Sequence, residues 1–130
     1  MKATLVRMIP MLCVMGIIFI LSHQPGTDKD WSLFPGEDKI AHMIAYGVLA
    51  AAVIASFAAD MRQSKSTVVA GLAFMVSLLY GISDEFHQSF IPGRFSSGAD
   101  LVADAAGAGL ICVTWLYLVK RRAQRNGVLS

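Results

Sequence analysis

The sequence predicts an all-α membrane protein: a bundle of four transmembrane helices, with polar residues gathered in its extracytoplasmic loops and helix ends. Of the 130 residues, 55% are apolar, above the roughly 45 to 50% usual in soluble domains, and the mean hydropathy is +0.58. The apolar residues fall into four runs, Met8 to Leu21, Ile40 to Ala59, Ser66 to Ser83 and Ala105 to Val119. With polar ends that snorkel, each run approaches the length needed to cross about 30 Å of hydrocarbon. The charges are also divided by side. Lys2, Arg7, Arg62, Lys65, Lys120, Arg121, Arg122 and Arg125 share one side with a single acid, Asp60, while eight acids and three bases lie on the other. Short basic loops stay cytoplasmic, so both termini are expected inside.

The expected helices run from about 5 to 22, 38 to 59, 66 to 88 and 98 to 119, with a basic cytoplasmic tail over 120 to 130, all in one domain. Lys2 and Arg7 ahead of an apolar run imitate a secretory signal. However, Ser22-His23-Gln24-Pro25-Gly26 offers no small-x-small cleavage site, so a retained helix is expected. A loop from His23 to Glu37 follows, with two Pro-Gly turns flanking Trp31, Leu33 and Phe34. This is a connector resting in the interface or a lid over a site. The second span opens at Glu37-Asp38-Lys39 and carries His42 and Tyr46. The spacing lets Asp38, Lys39, His42 and Tyr46 share one helix face. The seven-residue connection DMRQSKS makes the second and third spans antiparallel neighbours.

The stretch from Tyr80 to Asp104 packs acids, amides and an arginine between two apolar runs. Charge at the edge of hydrocarbon is costly unless partnered or wet, so this concentration marks a candidate site. Asp84, Glu85 and Gln88 close the third span, Pro92-Gly93 turns the chain, and Arg94 follows. Ser97-Gly98-Ala99-Asp100 fits a capping box for the fourth span. Capping accounts for Asp100 but not for Asp104, one turn deeper. Ala105-Ala106-Gly107-Ala108-Gly109 is a small-residue patch that allows close helix approach. Trp115 and Tyr117 suit an interfacial belt. Cys13 and Cys112 fall mid-span and read as small apolar residues. No Walker loop, dinucleotide fingerprint, zincin, redox CxxC or nucleophile-elbow motif is present. The spacing matches no metal signature, so no metal ligand and no cofactor is assigned. A net charge of +2 gives no reason to expect a nucleic-acid partner.

These motifs resemble the VanZ-like family of small membrane proteins. The resemblance rests on Asp38-Lys39 with His42 and Tyr46, on Asp84-Glu85 with Gln88 and Phe90, and on Pro92-Gly93-Arg94. Ser97, Asp100 and Gly107, together with Ser22 and Gln24-Pro25 at the end of the first span, complete it. Asp104 departs from the pattern, in which Asn usually follows the fourth-span Asp by four positions. The resemblance implies a multi-helix membrane fold and a link to glycopeptide antibiotics, the founding member being associated with reduced susceptibility to teicoplanin. A general envelope role is equally compatible with it.

Four functional readings follow from the polar residues. In the first, a pocket at the outer face of the bacterial cytoplasmic membrane binds a lipid-linked, phosphorylated or glycosylated envelope component. Arg94 and Lys39 serve there as anion ligands, and Asp38, Tyr46, Gln88, Asp100 and Asp104 as further substrate contacts. In the second, His42, Asp84 and Glu85 are catalytic in a membrane-embedded hydrolase or transferase, as acid and base or around a divalent cation. The third is a proton relay through His42, Asp84 and Asp104, which the clustering of polar residues at one surface disfavours. The fourth is structural: Arg94 pairs with Asp100 or Glu85, Lys39 with Asp38, and His42 with Tyr46. The expected partners are membrane lipids and an envelope precursor or lipid head group.

Overall fold

Backbone groups inside hydrocarbon have no water to bond, so apolar runs of this length close their hydrogen bonds within helices. The computed structural model describes residues 2–25, 36–94 and 96–127. The helices are α1 (Lys2–Ser22), α2 (Glu37–Ser56), α3 (Ala59–Ser64), α4 (Ser66–Gln88) and α5 (Gly98–Arg125), with no strand among the described residues. Four of them, all but α3, are long and apolar enough to cross a membrane. The expected interfacial residues Trp31, Leu33 and Phe34 lie outside the described residues.

Two boundaries differ from the expectation. The chain leaves α2 at Phe57, which is extended (φ −76°, ψ 150°), and the connection to α4 holds the short helix α3. The basic tail does not leave the fourth span where apolarity ends; α5 continues through it to Arg125. Lys, Arg, Ala and Gln all favour helix, and cations complement the carbonyl end of the helix dipole.

Helix α2 is the hub, packed against α1, α4 and α5, while α4 also packs on α5. The buried centre is built from small and branched residues, among them Leu49, Ala50, Val53, Val69, Ala70, Ala73 and Ala108. The closest approach is between α2 and α5. A Cβ at Gly107 would run into the Met43 backbone carbonyl, and one at Gly47 would meet the Gly107 carbonyl oxygen at 3.3 Å. This is the small-residue packing expected of that patch, since lipid-solvated helices associate by close contact rather than by hydrophobic exclusion. The Cys112 thiol adds a contact to the Ala70 carbonyl at 3.5 Å.

Helix α1 is held more lightly, with only Ile18 and Ser22 buried along it. The Tyr80 hydroxyl donates to the Met15 carbonyl at 2.7 Å. At its end His23 and His87 share a ring-nitrogen hydrogen bond of 3.0 Å. The remaining large side chains of α1, such as Leu5, Leu12, Ile17 and Ile20, point outward to where acyl chains would lie.

Candidate functional site

The end of α4 and the starts of α2 and α5 meet, and that meeting collects the polar residues. Helix α4 closes at Gln88, and the chain reverses through Pro92-Gly93, with Gly93 at φ +76°. Ser97 then caps α5, its hydroxyl accepting from the Ala99 N–H at 3.2 Å. The reciprocal half of the expected capping box is made differently. The Ser97 N–H donates to Glu85 Oε2 of α4 at 2.8 Å, not to Asp100. Asp100 instead faces Lys39 of α2, Oδ1 to Nζ 2.5 Å, and Lys39 also holds Asp38 at 2.7 Å. The expected Lys39–Asp38 pair is present, with Asp100 as a second partner.

One turn further into the bundle, His42 Nδ1 lies 2.8 Å from Asp104 Oδ1. A carboxylate only accepts, so Nδ1 carries the hydrogen, and in the neutral ring Nε2 is then the lone-pair nitrogen. Asp104 is 1% exposed, and its Oδ2 forms no hydrogen bond. Gly81 makes room for it, because a Cβ there would stand 2.9 Å from Oδ2. The expected His42–Tyr46 hydrogen bond is absent: the two rings lie parallel with centroids 6.3 Å apart, and Asp104 takes the imidazole instead. Asp104, which helix capping alone does not account for, is the residue that orients the histidine.

On the other side of His42 the helices leave a cavity of about 270 Å³ between α1, α2 and α4. Asp38, His42, Tyr46, Asp84, Gln88 and Arg94 line it with polar groups, and Ile18, Leu21, Ala41 and Ala45 with apolar ones. Gln88 Nε2 donates to Asp84 Oδ2 at 2.9 Å, fixing that carboxylate. Arg94 pairs with neither Asp100 nor Glu85. Among the described residues it makes no ion pair, and its buried Nε has no partner.

A family model described as VanZ/LLP1 matches residues 8–121. The chain belongs to the VanZ/LLP1 family. No curated protein and no solved structure matches it.

In this VanZ/LLP1 chain the candidate residues divide into two groups that share His42. Asp38, Tyr46, Asp84, Gln88 and Arg94 face the cavity with it. Lys39, Glu85, Asp100 and Asp104 lie behind it, toward α5. Sequence reasoning missed the contribution of α1, whose Ile18, Leu21 and Ser22 line the cavity, the Ser22 hydroxyl being buried without a partner. Ser22 within Ser22-His23-Gln24-Pro25 was the signal for it, since it ends an apolar span with hydrogen-bonding groups. A lining that mixes polar and apolar groups suits binding of an amphiphile. A carboxylate-oriented imidazole also suits proton transfer.

Proposed function

We propose that this protein binds the polar head group of a cell-envelope lipid or lipid-linked precursor, in the cavity between α1, α2 and α4, at the outer face of the membrane. The supporting observation is Arg94, a guanidinium without an ion-pair partner among the described residues, which lines a cavity that apolar side chains also line. Arg presents a planar fork of donors to phosphate or carboxylate. Asp38 and Asp84 line the same cavity and suit hydroxyl or amine donors of a glycerol or sugar unit. Ile18 and Leu21 extend the site toward acyl chains. The outward placement follows from the basic residues at the opposite ends of the helices. Sequestering or reshaping an envelope precursor in this way accounts for a lowered susceptibility to teicoplanin-like glycopeptides.

The test uses the full chain purified in neutral detergent and titrated with phosphatidylglycerol, with phosphatidylcholine for comparison. Arg94→Ala is expected to weaken phosphatidylglycerol binding by about tenfold or more, the value of one charge-assisted contact, while leaving helix content and membrane level unchanged. Equal binding by the variant and the wild type removes Arg94 from the site and the reading with it.

A further inference from the structure

Asp84, Glu85, Asp100 and Asp104 are each less than a tenth exposed. Among the described residues their partners are few. Lys39 sits on Asp100, His42 on Asp104, the Gln88 amide on Asp84 and the Ser97 N–H on Glu85. Lys39 is the sole permanently charged partner in that set, and it is shared with Asp38. Buried carboxylates persist when a cation or a metal neutralises them. Among the described residues, this end of the bundle sets four buried acids against two fixed cations, Lys39 and Arg94.

We infer that His42, Glu85 and Asp100 bind one divalent transition-metal cation, Zn²⁺ or Mn²⁺. Three separate helices, α2, α4 and α5, each supply one ligand atom, and the three atoms lie within 4.8 Å of one another. Ligand bonds of about 2.0 to 2.2 Å in a tetrahedral site put donors about 3.4 Å apart, so the three side chains draw in by about an ångström to close the set. A second observation points the same way. Glu85 spends Oε2 on the α5 cap, yet its Oε1 is buried and forms no hydrogen bond. A third concerns the imidazole. Asp104 fixes Nδ1 as the protonated nitrogen and leaves Nε2 to coordinate, the arrangement in which an outer carboxylate orients a metal-bound histidine. One imidazole with two carboxylates suits Zn²⁺ or Mn²⁺ better than an all-oxygen Mg²⁺ or Ca²⁺ site. Lys39 retains Asp38 when the metal engages Asp100.

The cation site goes beyond the head-group reading and shares only His42 with it, so the two fail separately. The full chain is purified in detergent, stripped with chelator, and dialysed against ZnCl₂ or MnCl₂ alone. Bound metal is then counted by mass spectrometry, and thermal unfolding is followed in parallel. About one equivalent per chain and a raised unfolding temperature are expected for the wild type. Glu85→Gln and Asp100→Asn, which keep the side-chain shapes, are expected to weaken binding at least about tenfold, and Asp104→Asn by about 10- to 100-fold. Arg94→Ala is expected to retain the metal even where it loses phosphatidylglycerol. A wild type that takes up neither ion in stoichiometric amount overturns the inference, as does uptake indifferent to both Glu85→Gln and Asp100→Asn in folded protein.

Discussion

Two helices flank the site in opposite ways. Helix α5 meets α2 so closely that a single added methyl at Gly107 would strike the Met43 backbone. Helix α1 leaves most of its large side chains outward and meets the bundle through buried Ile18 and Ser22, partly buried Met11, Val14 and Met15, and the Tyr80–Met15 hydrogen bond. The charged residues that need fixed positions, His42, Asp100 and Asp104, belong to the tight pair. The cavity is walled in part by the light one. Stringent packing fixes the ionisable residues, and lighter packing borders the open space.

Substitutions can break or sharpen that contrast. The largest effect is expected at Gly107→Val, where the clash is with backbone and cannot be relieved by a rotamer change. Loss of most folded protein from the membrane is anticipated, a cost above about 3 kcal/mol, read as yield of monodisperse protein and unfolding temperature. Near wild-type behaviour there would mean that the α2–α5 approach is not what fixes the site. Next comes Asp104→Ala, which strips the imidazole of its buried acceptor at a cost of about 3 kcal/mol. Asp104→Asn keeps an acceptor oxygen and is expected to cost about a third of that. Chemical denaturation of the two variants side by side checks the ratio.

Removing the shared cap with Glu85→Ala is expected to cost about 1 to 2 kcal/mol and to speed hydrogen exchange at the Ser97 and Ala99 amides above the rest of α5. Uniform exchange along α5 would show that Glu85 does not hold its first turn. Tyr80→Phe, which deletes the bond to the Met15 carbonyl, is expected to cost about 1 kcal/mol and to loosen α1 alone. Faster hydrogen exchange along α1, with the α2–α5 pair unchanged, is the corresponding readout. Last is Ile17→Ala on the outward face of α1, expected to stay within about 0.5 kcal/mol of wild type. A destabilisation there as large as at Gly107 would abolish the distinction between the two flanks.

The four spans and the polar ends were legible because hydrocarbon thickness and backbone hydrogen bonding fix helix length from composition alone. Within one helix the neighbours of His42 followed from a period of 3.6 residues, which placed Asp38 and Tyr46 on its face. Across helices that logic stops. Whether His42 meets Tyr46 or Asp104 depends on the height at which α2 crosses α5, set by Gly107 against Met43, and one sequence does not print that register. Lys39 shows the same limit: its bond to adjacent Asp38 could be read, but its bond to Asp100 of α5 could not. Arg94 was read as an anion ligand of a pocket or, in the structural reading, as a partner of Asp100 or Glu85; it faces the cavity and pairs with neither. The Ser97 cap was read correctly from its hydroxyl, and its second half was misassigned because the acceptor comes from α4.

That last contact ties two spans together. Glu85 completes the opening turn of a helix to which it does not belong. One carboxylate thereby links the level at which α4 ends to the level at which α5 begins, so a shift of either helix along its axis would uncap the other.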